Sequence, residues 1–212
     1  MSKFLDLLIP AHCASCGAPG APCCATCRTV WGSLSEITRA PTIGLVPVYA
    51  LARYADEARR LILAYKERGR RDLAPSLGEA LAEALPHLPA PEAGPCLVPV
   101  PSRRSASRVR GGPHVQRMAE ECAKVLASKG NPATVAPALK LEAGVRDAAR
   151  LTRAERAVNL DGRIRLVQEA CPARVILLDD VITTGATAAA CTRLLDISGI
   201  QVSAVVALAA AG

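Results

Sequence analysis

Aromatic side chains make up only 2% of the 212-residue chain: one Trp, three Tyr and one Phe. A core with so few rings has to close by interdigitation of Ala, Leu, Val and Ile, and the chain is half hydrophobic. The scarcity also leaves few platforms for stacked bases, which argues against a stacking-driven single-strand binder. No run reaches the roughly 20 apolar residues that a membrane-spanning helix needs; the apolar tail 202–211 is far too short. The start, residues 1–10, carries Asp6 and has no small-residue cleavage pattern, so no targeting segment, no membrane insertion and a cytoplasmic location are expected. No Gly-Lys-Ser/Thr follows a Gly-rich turn, which excludes a Walker loop.

Positive charge is abundant: the net charge is +7 and the pI is near 9.1. Much of the excess is Arg in residues 59–71 and 103–117, and a basic balance suits anionic partners such as phosphates or nucleic acid. A solvated Arg-rich surface explains the charge equally well when charge is taken alone.

Cysteine is also plentiful, with nine residues. In a cytosolic chain that points to metal before disulfides. Cys13-x2-Cys16 and Cys24-x2-Cys27 are two knuckles separated by a short Gly- and Pro-containing loop. Together they offer four thiolates to a structural Zn²⁺. Cys23 adjoins Cys24, but only Cys24 has the knuckle spacing to Cys27. Cys96, Cys122, Cys171 and Cys191 lack such spacing and read as core or surface residues. Residues 1–35 are expected to form a zinc-ribbon segment, residues 32–44 to contain a linker, and residues 46–212 to form the larger domain.

Within that domain, strands are expected at 46–54, 96–100, 164–167, 175–178 and 200–208. Helices are expected at 57–65, 73–85, 115–129 and 187–197. This alternation predicts an α/β fold: a mostly parallel sheet flanked by helices.

The most informative segment is Val175-Ile-Leu-Leu-Asp-Asp-Val-Ile-Thr-Thr-Gly-Ala-Thr187. Four aliphatics run into two carboxylates, Asp179 and Asp180, at the expected end of a strand, where open α/β sheets bind ligands. Thr183, Thr184, Gly185, Ala186 and Thr187 then turn into a helix. Its first N–H groups and three hydroxyls form an anion site, and Gly185 lets the backbone close tightly. The carboxylates can hold vicinal hydroxyls or Mg²⁺, and the turn can hold a phosphate. A ribose 5-phosphate has both features. A strand followed by a capped helix explains one polar residue here, not two carboxylates and three threonines in nine positions.

This segment resembles the 5-phosphoribosyl-1-pyrophosphate (PRPP) signature of type I phosphoribosyltransferases. The resemblance implies that Asp179 and Asp180 contact the ribose hydroxyls, directly or through metal, and that residues 183–187 hold the 5-phosphate. Relatives acting on 6-oxopurines usually carry Asp where this chain has Thr183, so hypoxanthine and guanine are not expected acceptors. Val98-Pro-Val-Pro101 leads into Ser102, Arg103 and Arg104, then Arg108-Val-Arg110-Gly-Gly-Pro-His114. These arginines suit the pyrophosphate, since Arg presents fixed forks of donors.

Val-Pro-Val-Pro followed by Arg-x-Arg-Gly resembles the ComF family, bacterial proteins associated with competence for DNA uptake. Many relatives have an aromatic and Asn-Gln after Arg-Gly, where this chain reads Gly112-Pro-His-Val-Gln116. A lone His near a loop is more often a surface residue than a catalyst, so His114 is expected at the surface. Arg146, Arg150, Leu151, Glu155, Arg156 and Asn159 resemble that family's lid region, and the Tyr65-Lys66-Glu-Arg-Gly69 run also fits, with Lys66 within reach of phosphate. A zinc ribbon ahead of a phosphoribosyltransferase domain is the ComF arrangement, and Phe4-Leu-Asp-Leu-Leu-Ile-Pro10 matches its lead. The resemblance implies PRPP with Mg²⁺ as ligand and, through the competence process, single-stranded DNA and a helicase as partners. Three functions follow: phosphoribosyl transfer to an unidentified acceptor, a PRPP-sensing or DNA-binding module in DNA uptake, and metabolic transfer to a nucleobase or amine.

Overall fold

The computed structural model describes residues 12–89, 94–101, 113–142, 163–168 and 175–212. In chain order the strands are β1 (Ser35–Glu36), β2 (Val48–Arg53), β3 (Cys96–Pro99), β4 (Thr134–Val135), β5 (Leu139–Leu141), β6 (Ile164–Leu166), β7 (Val175–Ile182) and β8 (Val202–Ala210). Six of them form one sheet in the order β1-β2-β8-β7-β3-β4, and β5 pairs with β6 in a separate antiparallel ribbon. Every pairing in the large sheet is parallel except β1 with β2. The expected mostly parallel sheet flanked by helices is what the chain forms.

Parallel strands need crossovers, and helices supply them. A short helix, α1 (Ala25–Arg28), lies in the cysteine-rich segment. α2 (Asp56–Glu67) and α3 (Ala74–Ala84) lie between β2 and β3, α4 (His114–Ser128) between β3 and β4, and α5 (Ala186–Ile197) between β7 and β8. α2 carries Asp56 and Glu57 in its first turn and Lys66 in its last, the distribution its dipole favours. Its Leu61, Ile62 and Tyr65 fall at helical spacing and are buried. α3 has a Pro in its first turn, where a missing N–H costs nothing.

A parallel sheet has to be covered on both faces. On one face α2, α3 and α4 bury Leu61, Leu77 and Met118 against Ile176, Leu178 and Val206. On the other, α5 buries Ala190, Cys191 and Leu195 against Val175, Leu177 and Val205. Alternating residues of β7 thus feed opposite cores, as a strand's two-residue period requires.

Two features differ from expectation. β7 does not stop at Leu178: it stays paired with β8 to Ile182↔Ala210, so Asp179 and Asp180 lie inside the strand. The small Ala and Val side chains of β8 keep that ladder open. On the other side, pairing with β3 ends at Pro99↔Leu178, followed by Val100 N–H donating to the Leu178 carbonyl at 2.8 Å; Pro101 has no N–H with which to continue it. The stretch expected as a linker is also structured. It holds β1 at the sheet edge and a 3-10 turn, Ala40–Thr42. β1, β4 and β5 are two or three residues long, too short for an alternating pattern to show in sequence.

α3 and α4 cross closely at Gly78. A Cβ placed there would lie 2.6 Å from Glu121 Cβ and 2.7 Å from the Cys122 backbone nitrogen. Gly78→Val should therefore destabilise the chain by about 1–3 kcal/mol through forced separation of the helices. Urea unfolding measures this, and an unchanged midpoint would contradict the close crossing.

Candidate functional site

The sheet reverses direction between β3 and β7. From β3 the chain crosses outward to β4, and from β7 it crosses the other way to β8. α4 and α5 consequently cover opposite faces. Ligands of open α/β sheets sit beyond the strand ends at such a switch point. Beyond Leu178, β7 runs on without β3 beside it, and this segment contains Asp179 and Asp180.

Asp180 is buried, with 3% of its surface exposed. Its Oδ2 receives Lys66 Nζ at 2.7 Å and His114 Nε2 at 2.8 Å. Its Oδ1 accepts the Val181 N–H at 2.7 Å. Burial alone would push this carboxyl up. The His114 hydrogen bond and the Lys66 charge outweigh it and hold the group well below the usual carboxylate range.

Asp179 sits differently. Its Oδ1 accepts the Asp180 N–H at 2.8 Å, and the two-residue period of the strand turns it to the opposite face, the one α5 covers. Burial, then repulsion by Asp180, raises its carboxyl well above the usual range, although Lys66 opposes the shift. Adjacent carboxylates thus have opposite tendencies: Asp180 holds its charge and Asp179 resists acquiring one.

The turn after β7 is built for a tight backbone. Gly185 has φ +79°, the left-handed region, and a Cβ there would lie 2.8 Å from Arg39 Cβ. Arg39 braces the turn: its Nε donates to the Thr183 carbonyl at 2.8 Å, and its guanidinium also bonds the Ala211 carbonyl. Thr42 Oγ1 ties back to the Arg39 carbonyl at 2.9 Å. Thr184 Oγ1 accepts the Ala186 N–H at 3.3 Å. Gly185 itself offers no side chain to cap α5, so the start of this helix presents backbone N–H groups and the Thr187 hydroxyl.

Of the residues expected from sequence, Asp179, Asp180, Thr183, Thr184, Gly185, Ala186 and Thr187 are continuous along β7, the turn and α5. Ser102, Arg103, Arg104, Arg108 and Arg110 lie outside the described residues, as do Arg146, Arg150, Leu151, Glu155, Arg156 and Asn159. Lys66, expected near phosphate, is paired with Asp180. His114, expected at the surface, is instead buried against Asp180, and the Tyr65 hydroxyl donates to its backbone carbonyl at 2.6 Å. A single His before a helix carries no sequence signal for that contact.

The four expected zinc ligands also come together. The Sγ atoms of Cys13, Cys16, Cys24 and Cys27 lie within 4.8 Å of one another. Cys16 Sγ and Cys24 Sγ are 3.6 Å apart, close to the roughly 3.8 Å edge of a tetrahedron with 2.3 Å zinc–sulfur bonds. Four thiolates in that shape could hold zinc. Cys23 stays outside the set: its thiol is turned toward the Cys24 carbonyl, and burial pushes it up to about 11. The cluster is tied to the larger body. Arg60 Nε donates to Ser15 Oγ at 3.1 Å, Arg70 donates to the His12 carbonyl at 2.8 Å, and Cys13 and Cys27 share the core of α2 and α3.

No protein-family model matches the chain, and no curated protein matches it. Among solved structures, a hypoxanthine phosphoribosyltransferase from Staphylococcus aureus is similar in two crystal forms. The tetragonal form has 12% identity over 66% of this chain and 61% of that one, with a TM-score of 0.34. The orthorhombic form has 12% identity over 66% and 60%, with a TM-score of 0.32. The chain thus spans about three fifths of the length of the structures it matches.

Purified chain should carry zinc near one equivalent, and Cys13→Ser should lose most of it, because three remaining thiolates leave a structural site open. Metal analysis with a chromogenic chelator checks this. Unchanged zinc in Cys13→Ser would contradict the ligand set.

Proposed function

We propose that the chain binds PRPP with Mg²⁺ at the C-terminal end of β7. The observation that carries this reading is one continuous segment at the sheet's switch point, in which two carboxylates precede a glycine turn and an open helix start. The turn 183–187 takes the 5-phosphate through N–H groups and hydroxyls. Asp179, whose Oδ1 accepts the Asp180 N–H, meets the ribose hydroxyls or the metal. Asp180 anchors Lys66 and His114 behind it. Arg103, Arg104, Arg108 and Arg110 supply positive charge for the pyrophosphate, and Ser102 adds a hydroxyl donor.

Carboxylate oxygens suit a hard cation such as Mg²⁺, which when bound neutralises charge on the leaving group. The transfer breaks the bond from ribose C1 to pyrophosphate oxygen and forms one from C1 to the acceptor, whose proton is lost. The resemblance to ComF proteins supports the reading that this chemistry, or PRPP sensing alone, serves DNA uptake in the cytoplasm, with single-stranded DNA and a helicase as partners. The committed basic groups temper the DNA part: Arg60 and Arg70 are engaged within the chain by Glu57 and Asp72.

Calorimetric titration with PRPP and Mg²⁺ tests the reading. Wild type should bind, and Asp179→Asn should weaken binding at least about tenfold, which is about 1.4 kcal/mol. Because Asp179 is raised, it must lose a proton to take a cation. Wild-type affinity should therefore rise with pH through its folded pKa, more steeply than in Asp179→Asn, which keeps only the rise due to the ligand's own phosphates. Absence of binding to wild type would overturn the proposal.

A further inference from the structure

Asp180 Oδ2 accepts two donors of different character. The Lys66 side chain is 29% exposed and hangs from the last turn of α2, whereas the His114 side chain is 5% exposed at the first turn of α4. His114 is fixed further by the Tyr65 hydroxyl on its carbonyl and by edge-on contact of the two rings, 6.0 Å between centroids. One partner is enclosed in the core and the other lies nearer the surface.

The hydrogen-bond network also assigns the tautomer. Asp180 already accepts from Lys66 and from the Val181 N–H, and an ionised carboxylate has no proton to give. Nε2 of His114 must therefore carry the shared proton. Among the described residues Nδ1 has no hydrogen-bond partner, which suits a bare lone pair better than a second buried N–H. The ring thus acts through Nε2 alone, and its object is Asp180.

Building on the PRPP reading, we propose that His114 is a positioning residue that holds Asp180 while Lys66 exchanges from Asp180 to the anionic ligand. A buried carboxylate stripped of its partner is strongly destabilised. With Lys66 as its sole side-chain partner, Asp180 would have to be abandoned each time Lys66 turned toward phosphate. That cost would be subtracted from ligand affinity. With His114 in place, Asp180 keeps a short hydrogen bond and the cation is released cheaply. The exchange needs no covalent step; it trades one ion pair for another.

The test uses the full-length chain. PRPP with Mg²⁺ is titrated into wild type, His114→Leu and His114→Gln, with circular dichroism confirming that each is folded. Gln can place its Nε2 where the imidazole Nε2 sits and donate to Asp180; Leu cannot. His114→Leu should weaken binding about tenfold or more, and His114→Gln should recover most of that loss. Equal binding by Leu and wild type would overturn the proposal, as would Gln behaving like Leu.

A second readout needs no ligand. The chain has only three histidines, so nitrogen NMR of the imidazoles resolves His114. The proposal expects Nε2 protonated, Nδ1 bare, and a signal that moves in Asp180→Asn. If wild type binds no PRPP, the function reading falls by itself, and the hold on Asp180 is judged by this spectrum. A ring protonated at Nδ1 instead, or unmoved by Asp180→Asn, would overturn it.

Discussion

A carboxylate placed inside a sheet is the constraint around which the functional end of this molecule is arranged. Asp180 lies on β7, and its ionised form persists only because Lys66 and His114 arrive from two different helices. An uncompensated charge at that depth would cost several kcal/mol. The requirement fixes how far α2 and α4 extend along the sheet, since each must present its polar residue at the same oxygen. It also explains why Tyr65, beside Lys66 on α2, reaches across to the His114 carbonyl.

Alternation along β7 then divides the work between neighbours. Asp180 points toward the three-helix face and is consumed by internal partners. Asp179 is turned toward the α5 face, where burial and the adjacent charge keep its carboxyl high. Two residues of the same type, one bond apart, become an anchor and an adaptable ligand group. The turn that follows is held by Arg39, which arrives from the segment before β2 and bonds the Thr183 carbonyl. A tight glycine turn, a braced backbone and a helix start whose N-cap Gly185 has no side chain are the ingredients of an anion site.

Much of the frame was legible in sequence because its signals are local. Aliphatic runs gave β3, β7 and β8, helical spacing of Leu61, Ile62 and Tyr65 gave α2, and doubled Cys-x2-Cys spacing gave the four clustered thiols. The aliphatic-to-acidic change at Leu178 was read as a strand end, but β8 keeps pairing with β7 through Ile182. That is a tertiary effect, invisible in residues 175–182 alone. The same holds for Arg39 and His114, whose partners lie 144 and 66 residues away. Contacts at that separation leave no periodicity to find. The cysteine-rich segment also proved to share its core with α2 and α3, because it has too little bulk to bury its own thiols.

The most direct measurement of this account is a double-mutant cycle on the Lys66–Asp180 pair, read by urea unfolding of wild type, Lys66→Met, Asp180→Asn and the double variant. If the buried carboxylate organises the site, each single change strands a charged or polar partner. The double variant should then be more stable than the sum of the two losses predicts, by on the order of 2 kcal/mol. Losses that simply add would contradict it and would leave Asp180 as an ordinary strand residue.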